Sequence, residues 1–464
     1  MAQGMDLTNK RVLVVGLGKS GVAAAFFLKD KGARVTVSDA KTEDQLREQI
    51  PALLDRGIVV EAGRHGERTF RDQDLIVVSP GVPYDEPHLQ AARALGVPVI
   101  GEVELAARFL NGPIVAITGS NGKTTTTSLI GEVFAKSGLK TQVGGNIGKP
   151  VIEMVAGSTP NTWNVLEISS FQLETIETFH PKIAVVLNVT PDHLDRHRTF
   201  EGYVAAKARI FENQKADDFA VLNMDDATCA SLARKVKAQV RGFSRREPVK
   251  SGAYTKDGRI VHHDKEGERE IMPVSAISLK GAHNQENVLA AVCAAMLAGC
   301  KPAQIANAVR EFRAVEHRLE FVANINGVEY YNDSKATNVD ASIKALESFA
   351  GGIHLILGGK DKGSDYSILA PLVSERVKLI VLLGAASDKI AAQLEGVRPI
   401  VRAASMQTAV YQSMAAAQAG DTVLLVPACA SFDMFDNYEH RGRAFKQEVM
   451  NLAGRMLSAA QAKD

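Results

Sequence analysis

The sequence offers little that would tie it to a membrane, a nucleic acid or an oxidising compartment. Its four cysteines, Cys229, Cys293, Cys300 and Cys429, are scattered through 464 residues with no C-x-x-C pair, each in an Ala- or Val-rich context. That excludes a disulfide framework and a zinc-type cluster as first readings, and buried free thiols are expected. No stretch approaches the ~20 consecutive apolar residues needed to span a bilayer. Lys10 and Arg11 are followed by only four apolar residues before Gly16, too few for a secretory core. An excess of one charge is also missing: 54 Lys and Arg stand against 53 Asp and Glu, a net +1. A nucleic-acid or membrane-surface partner normally demands a basic excess. Solenoid repeats and low-complexity segments are absent as well. A cytoplasmic enzyme without nucleic-acid or membrane partners is expected, with length enough for about three domains.

What the sequence does have is a repeating βα rhythm. Arg11–Val15, Arg34–Ser38, Ile58–Val60 and Leu75–Val78 are short apolar runs, with helical patterns over 22–28 and 89–95. Short strands alternating with amphipathic helices imply a parallel, Rossmann-like sheet. The first turn is Gly16-Leu-Gly-Lys-Ser-Gly21, a G-x-G-x-x-G directly after a strand, and Asp39 ends the next strand. On spacing alone this is a dinucleotide fingerprint, and an NAD-dependent oxidoreductase is the first rival reading.

A second glycine-rich turn lies at Ile114-Val-Ala-Ile-Thr-Gly-Ser-Asn-Gly-Lys-Thr-Thr125. A buried strand, a turn and a helix opened by Lys123-Thr124 form a phosphate-binding layout: backbone N–H groups and a helix N-terminus face an anion. The strict G-x-x-x-x-G-K-[ST] form is not met, because Ile117 stands at the first glycine position. Two anion turns in separate segments exceed what a dehydrogenase requires. Magnesium, which bridges triphosphate oxygens, prefers oxygen ligands. Thr124 offers a hydroxyl and Glu167 a carboxylate at a strand end. Asn188-Val-Thr-Pro-Asp-His193-Leu-Asp195 gathers polar groups after another strand, where open α/β sheets place their sites. Further strands are expected at 163–168, 183–188 and 219–223, with a hairpin at Lys256-Asp-Gly258. A helix over 284–297, a hairpin at Asn326-Gly327, strands at 353–357, 379–383 and 423–426, and a closing helix over 444–457 complete the pattern. A nucleotide-binding regulator without chemistry would use the phosphate loop but leave these strand-end groups unexplained.

Together, Thr118-Gly-Ser-Asn-Gly-Lys-Thr124, Glu167-Ile-Ser-Ser-Phe-Gln-Leu173, Asp192-His-Leu-Asp195, His283-Asn-Gln-Glu-Asn287, His317-Arg318 and Asp333-Ser-Lys-Ala-Thr-Asn338 resemble the Mur ligase family in order and spacing. The resemblance covers essentially the whole chain. Ser169-Ser-Phe-Gln-Leu173, the Asp333–Asn338 motif and Pro427-Ala-Cys-Ala-Ser431 are most similar to the D-glutamate-adding branch. Related Mur or folylpolyglutamate-type ligases adding another amino acid are the nearest alternative.

The resemblance implies an α/β fold of three domains in series. These are a Rossmann-like domain over 1–101, a central P-loop-type domain with a mainly parallel sheet over 102–313, and a C-terminal Rossmann-like domain over 314–464. It implies ATP-dependent ligation of D-glutamate to the L-alanine carboxylate of UDP-N-acetylmuramoyl-L-alanine, through an acyl phosphate, in peptidoglycan precursor synthesis by a monomer. Gly18, Lys19, Ser20, Gly21, Asp39, Gly81, Asn146 and Ser169 would bind the UDP-linked substrate. The sequence departs from the pattern at Ala40, where a hydroxyl-bearing residue is expected. ATP would meet Gly119, Ser120, Asn121, Gly122, Lys123, Thr124, Thr125, Asn287, Arg318, Asp333 and Lys335. D-Glutamate would meet Thr337, Lys362, Ser431 and Phe432, with Lys360 as the alternative to Lys362. Two magnesium ions would use Thr124, Glu167, His193 and Lys207, the last as a carbamate; Lys123, His193 and Lys207 are the catalytic candidates. Read without the resemblance, Lys207 is a solvated lysine on a helix.

Overall fold

The computed structural model describes residues 5–279, 281–313 and 315–461, apart from the side chains of Asp195 and of residues 457–461. The backbone forms two compact units, Met1–Ala276 with Glu286–Glu311, and Ile277–Gln285 with Phe312–Asp464. The first unit holds two sheets and the second holds one.

The first sheet contains β1 (Arg11–Val15), β2 (Arg34–Asp39), β3 (Val59–Ala62), β4 (Leu75–Val78) and β5 (Val99–Gly101), in the order β3-β2-β1-β4-β5. All neighbours are parallel. The chain leaves β1 for β2 on one side and later crosses to β4 on the other. The crevice opened by that reversal lies beyond the end of β1, where the first glycine turn sits.

The second sheet has nine strands: β6 (Ile114–Thr118), β7 (Thr141–Gly145), β8 (Trp163–Glu167), β9 (Ile183–Val186), β10 (Phe219–Asn223), β11 (Gln239–Ser244), β12 (Gly252–Lys256), β13 (Arg259–Asp264) and β14 (Gly267–Pro273). Their order is β14-β13-β12-β11-β10-β9-β6-β8-β7. From β7 to β12 the pairing is parallel, and β13 and β14 add an antiparallel edge. Central β6 is fully buried between β8 and β9, so the ends of these three strands converge. Asp257 and Gly258, with φ of 49° and 72°, close the β12–β13 hairpin, matching a two-residue turn that needs positive φ at both positions.

The second unit carries β15 (Glu320–Ile325), β16 (Val328–Asn332), β17 (Ile353–Leu357), β18 (Val377–Leu383), β19 (Ile400–Ala403) and β20 (Thr422–Leu425), ordered β15-β16-β20-β17-β18-β19. Only β15 runs antiparallel, through the expected Asn326-Gly327 turn. Phe445, Val449 and Leu452 of the helix Tyr438–Gln461 are buried in the core beside this sheet.

The apolar runs become strands largely where expected, with ends moved by a residue or two. Strands β5, β7, β11, β14 and β19 go beyond those expected individually. The Gly144-Gly145 end of β7 and the Arg402 of four-residue β19 dilute the apolar signal, and both strands lie at sheet edges. The first helix begins at Lys19, directly from the glycine turn, rather than at Val22.

Candidate active site

The first glycine turn is held from two directions. Asp39 accepts hydrogen bonds from the N–H groups of Leu17 (2.6 Å) and Lys41 (2.9 Å). A Cβ on Gly21 would lie 1.9 Å from the Gly16 carbonyl oxygen, so glycine alone lets the helix Lys19–Asp30 start this close to the strand. Gly18 is open to solvent, Ser20 is half-buried and Gly81 is exposed. Lys19 Nζ donates to the Gly148 carbonyl at 2.5 Å, linking this turn to the loop after β7. In that loop Asn146 donates its amide to Glu167 Oε1 at 2.9 Å, and Glu167 Oε2 accepts from Thr124 Oγ1 at 2.7 Å. One loop, through Gly148 and Asn146, therefore contacts both the first glycine turn and the Glu167–Thr124 pair of the second. Ser169 caps the short helix Ser170–Leu173 in a reciprocal capping box with Gln172, so part of its motif is legible as helix-start chemistry.

The second turn is built by the segment that follows β9 as much as by its own residues. Ser120 N–H donates to the Asn188 carbonyl (2.9 Å), and Asn121 N–H donates to Asn188 Oδ1 (2.8 Å). Asn188 returns its amide to the Asn121 carbonyl at 3.1 Å. Gly122 has φ +86°, and a Cβ there would lie 2.2 Å from Asn287 Oδ1. Lys123 Nζ folds back onto the carbonyls of Gly119 (2.9 Å) and Ser120 (2.8 Å). Thr124 and Thr125 are buried at the start of the helix Lys123–Lys136.

Lys207 overturns the reading of a solvated lysine: it is 1% exposed. Its Nζ donates to the Gly119 carbonyl at 2.8 Å and lies 4.4 Å from the Tyr203 ring centroid. Burial, and then the charge of Lys123, hold its ammonium well below the usual lysine range, with Asp192, Cys229 and Glu167 opposing. Tyr203 OH donates to Ser120 Oγ at 3.1 Å, since Ser120 Oγ itself donates to the Thr190 carbonyl. The His193 ring is 6.5 Å from the Tyr203 ring and 4.9 Å from Phe171. His193 adopts φ +53° at the start of the helix Leu194–His197 and pairs with Asp192 at 3.6 Å. The motif partner Asp195 has its side chain outside the described residues. Tyr203, absent from the sequence-derived candidates, and Asn188, which opens a motif singled out there but was assigned no role, are thus central to this arrangement. Their signal was position: Asn188 at a strand end, and Tyr203 one helical turn before Lys207.

In the second unit Asp333 follows β16 and is 2% exposed, and its Oδ1 has no hydrogen-bond partner among the described residues. Burial pushes its carboxyl up to about 6, against the pull of Arg318, the Leu319 N–H and Lys335. Arg318 and Asn284 line a cavity of about 390 Å³ with Ser278, Leu279, Phe312 and Tyr331, within the size range of small-ligand sites. Burial, then the charges of Arg318 and Lys344, push His283 down to about 3, so its imidazole is neutral at physiological pH.

The D-glutamate candidates sit on three loops tied together. Ala428 N–H donates to the Ala336 carbonyl at 2.9 Å, next to Thr337. Lys360 and Ala430 exchange backbone hydrogen bonds of 2.8 and 3.1 Å. Arg441, 2% exposed, donates to Ser334 Oγ (3.0 Å), the Ser334 carbonyl (2.9 Å) and the Cys429 carbonyl (3.2 Å). Burial brings its guanidinium down to about 10. Sequence reasoning passed over Arg441, yet it stands in line with Phe445, Val449 and Leu452 on the buried helix face, an unusual place for a charge. Ser431 is buried, Lys362 is exposed, and Phe432 is 68% exposed. Glu316, His317 and Glu320 also lie close enough to hold a metal, but Lys446 already reaches both glutamates, at 2.9 and 2.6 Å.

Family models match this chain in three segments: the Mur ligase MurD-like N-terminal domain over residues 10–101, the Mur ligase middle domain over 117–295, and the Mur ligase glutamate ligase domain over 317–429. The chain belongs to the Mur ligase family. It is 61% identical to the UDP-N-acetylmuramoylalanine–D-glutamate ligase of Koribacter versatilis, over 97% of this chain and 99% of that one. The protein of the same name from Acidobacterium capsulatum is 58% identical over 96% and 97%. Among solved structures, the pseudomurein peptide ligase type C of Methanothermus fervidus superposes with a TM-score of 0.62 at 19% identity, covering 96% of this chain and all of that one. The UDP-N-acetylmuramate-alanine ligase of Thermotoga maritima gives 0.59, also at 19% identity. At such identities these two structures speak for the three-domain α/β fold alone. The Mur ligase assignment of the first hundred residues leaves the NAD-dependent alternative without a domain.

Proposed function

We propose that this chain uses ATP to join D-glutamate to the L-alanine carboxylate of UDP-N-acetylmuramoyl-L-alanine in peptidoglycan precursor synthesis. The observation that carries the reading is the loop of Asn146 and Gly148, which contacts Lys19 on one side and the Glu167–Thr124 pair on the other. It joins a turn suited to a nucleotide pyrophosphate to a turn suited to a triphosphate, as a nucleotide-linked acid activated by ATP requires. Relatives at 61% and 58% identity carry the name of this activity.

In the first step a substrate carboxylate oxygen bonds to the γ-phosphorus while the bond to the β,γ-bridging oxygen breaks and ADP leaves. Carboxylate and triphosphate repel, so the site must supply positive charge. Lys123 exchanges the carbonyls of Gly119 and Ser120 for phosphate oxygens, and the N-terminus of the helix Lys123–Lys136 adds its favourable field to the same anion. In the second step the D-glutamate amine attacks the acyl carbon, the C–N bond forms, the C–O bond to phosphate breaks, and the amine proton is lost. Mur ligases use magnesium with ATP, and the hydrogen-bonded Thr124 Oγ1 and Glu167 carboxylate form an all-oxygen donor pair suited to it. Bound there, the ion would offset charge on the β- and γ-phosphates.

Gly18, Lys19, Ser20, Gly21, Asp39, Gly81, Asn146 and Ser169 are assigned to the UDP-linked substrate. ATP is assigned Gly119 to Thr125, Asn287, Arg318, Asp333 and Lys335, and D-glutamate Thr337, Lys362, Ser431 and Phe432. A second ion is assigned to His193 and a carbamylated Lys207. Burial and the charge of Lys123 favour the free amine of Lys207, whose lone pair adds to CO₂ with loss of a proton. Labelled bicarbonate should give a carbamate carbon resonance that Lys207→Ala removes; an unmodified amine, or full activity of Lys207→Ala, ends that assignment. The reading includes domain limits of 1–101, 102–313 and 314–464, a monomer, and a cytoplasmic location.

The deciding assay is phosphate release from ATP with UDP-N-acetylmuramoyl-L-alanine. Release should require D-glutamate and fail with L-glutamate, L-lysine or NAD in its place. Turnover with L-lysine but not D-glutamate would overturn the specificity.

A further inference from the structure

Asp361, between the two lysines of Gly358-Gly-Lys-Asp-Lys-Gly363, is held by more partners than an exposed loop needs. Its Oδ1 accepts from the Tyr366 hydroxyl at 2.8 Å and the Ser364 N–H at 3.1 Å, and Oδ2 accepts from Lys389 Nζ at 2.8 Å. The fully buried Tyr366 hydroxyl also contacts Cys429 Sγ at 2.9 Å. Ionised Asp361 has no proton to give, so Tyr366 donates to it and the Cys429 thiol donates to the Tyr366 oxygen. The order of donation is fixed: Cys429 to Tyr366, Tyr366 to Asp361, with Lys389 on the far oxygen. Burial opposes charge on Asp361, but the hydrogen bonds from Lys389, Tyr366 and Ser364 outweigh it and hold the carboxyl down to about 2. The helix Ser387–Gln393 supplies Lys389 and also Gln393, whose side-chain oxygen accepts the Tyr366 N–H at 2.8 Å.

We infer that Asp361, Tyr366 and Lys389 form a positioning unit that sets Lys362 for the carboxylate of the incoming amino acid. It does so by locking the Lys362 loop to the Cys429–Ser431 loop. The inference deepens the proposed function and rests on its assignment of Lys362 and Ser431 to D-glutamate. Lys362 itself has no hydrogen bond or ion pair among the described residues, so the aim of its flexible stem depends on the backbone of its neighbour. Before Lys362 that backbone is fixed by the Lys360–Ala430 pairing, and the Asp361 carboxylate ties it to Ser364 and Tyr366 after Lys362. A carboxylate beside a dicarboxylate site would ordinarily repel the ligand. Lys389 neutralises it, leaving Asp361 as a fastener without a net opposing charge. None of the three touches the reacting atoms, so their effect should appear in the affinity for one substrate.

The test measures KM for each of the three substrates, and kcat, in Asp361→Asn and Tyr366→Phe, alone and combined with Lys362→Ala. Both single variants keep the side-chain shape, and thermal melting of each checks folding. The expected result is a KM for D-glutamate raised about tenfold, equivalent to ~1.4 kcal/mol, with KM for ATP and for the UDP-linked acid, and kcat, within about twofold. In the Lys362→Ala background the same changes should add almost nothing, because their route of action is gone. A D-glutamate KM unchanged in both single variants, a parallel rise for all three substrates, or full additivity with Lys362→Ala would overturn the inference. If Lys362→Ala alone leaves the D-glutamate KM unchanged, the Lys362 assignment is what fails, and the positioning unit falls with it.

Discussion

Replacing Asp333 by asparagine should make the protein more stable and less active at once. The carboxyl is buried with one oxygen unpartnered among the described residues, and burial raises its ionisation to about 6. In an unfolded chain the same group ionises near 3.9. Between those two values the folded state binds more protons than the unfolded state, so stability falls as pH rises through that window. Above it the folded state has lost about 3 kcal/mol relative to acid pH. Asparagine carries no charge to desolvate and can still accept the Leu319 N–H. Asp333→Asn should therefore gain up to ~3 kcal/mol over the parent at about pH 8 and nearly nothing at about pH 4. Urea unfolding of both proteins across that range reads the difference directly. The same substitution should raise KM for ATP about tenfold, because a neutral amide is a weaker partner for nucleotide donors than a carboxylate. A variant less stable than the parent at about pH 8, or a gain that does not shrink on acidification, would refute the reasoning. A natural residue this costly to the fold belongs where binding supplies its missing partner.

Gly122→Ala places a Cβ at φ +86°, 2.2 Å from Asn287 Oδ1. The left-handed conformation alone should cost ~1–2 kcal/mol, seen as a lower melting temperature together with a raised KM for ATP. Arg441→Met removes the donor shared by Ser334 and Cys429 and leaves buried acceptors unpaired. A loss of about 3 kcal/mol in urea unfolding is expected, and a change under about 0.5 kcal/mol would contradict the clamp. All four cysteines are buried free thiols, and burial pushes Cys293 up to about 12 and Cys429 to about 11. A thiol reagent should therefore react with the protein only after denaturant is added; a fast-reacting thiol in the native protein would count against these environments.

Local chemistry made much of this legible. Arg11–Val15, Leu75–Val78 and Phe219–Asn223 are strands at the positions expected because their apolar runs are short and bounded by turns. Lys256-Asp-Gly258 and Asn326-Gly327 are hairpins because only such pairs accept positive φ twice over. The strand–turn–helix geometry around Gly122-Lys123 follows from its residues, and Thr124 and Glu167, singled out by residue type, meet in a hydrogen bond of 2.7 Å. Edge strands were harder to read. Thr141–Gly145 and Ile400–Ala403 are short and compositionally mixed, and pairing with a neighbour defines them more than their own propensity does.

Order along the chain therefore determined the α/β alternation, the two glycine turns and the family motifs, because each depends on residues within a few positions of one another. Only the tertiary structure decided the environments of particular side chains. Lys207 is a surface lysine by helix pattern, yet it lies buried against the Gly119 carbonyl. Arg441 is one charge in a long helix until the fold brings the loops at 334 and 429 to it. Asp361 is a polar loop residue until Lys389 and Tyr366 close on it. Each has one deciding partner far off in sequence, Gly119 88 positions from Lys207, Ser334 107 from Arg441 and Lys389 28 from Asp361, and no local pattern encodes that distance.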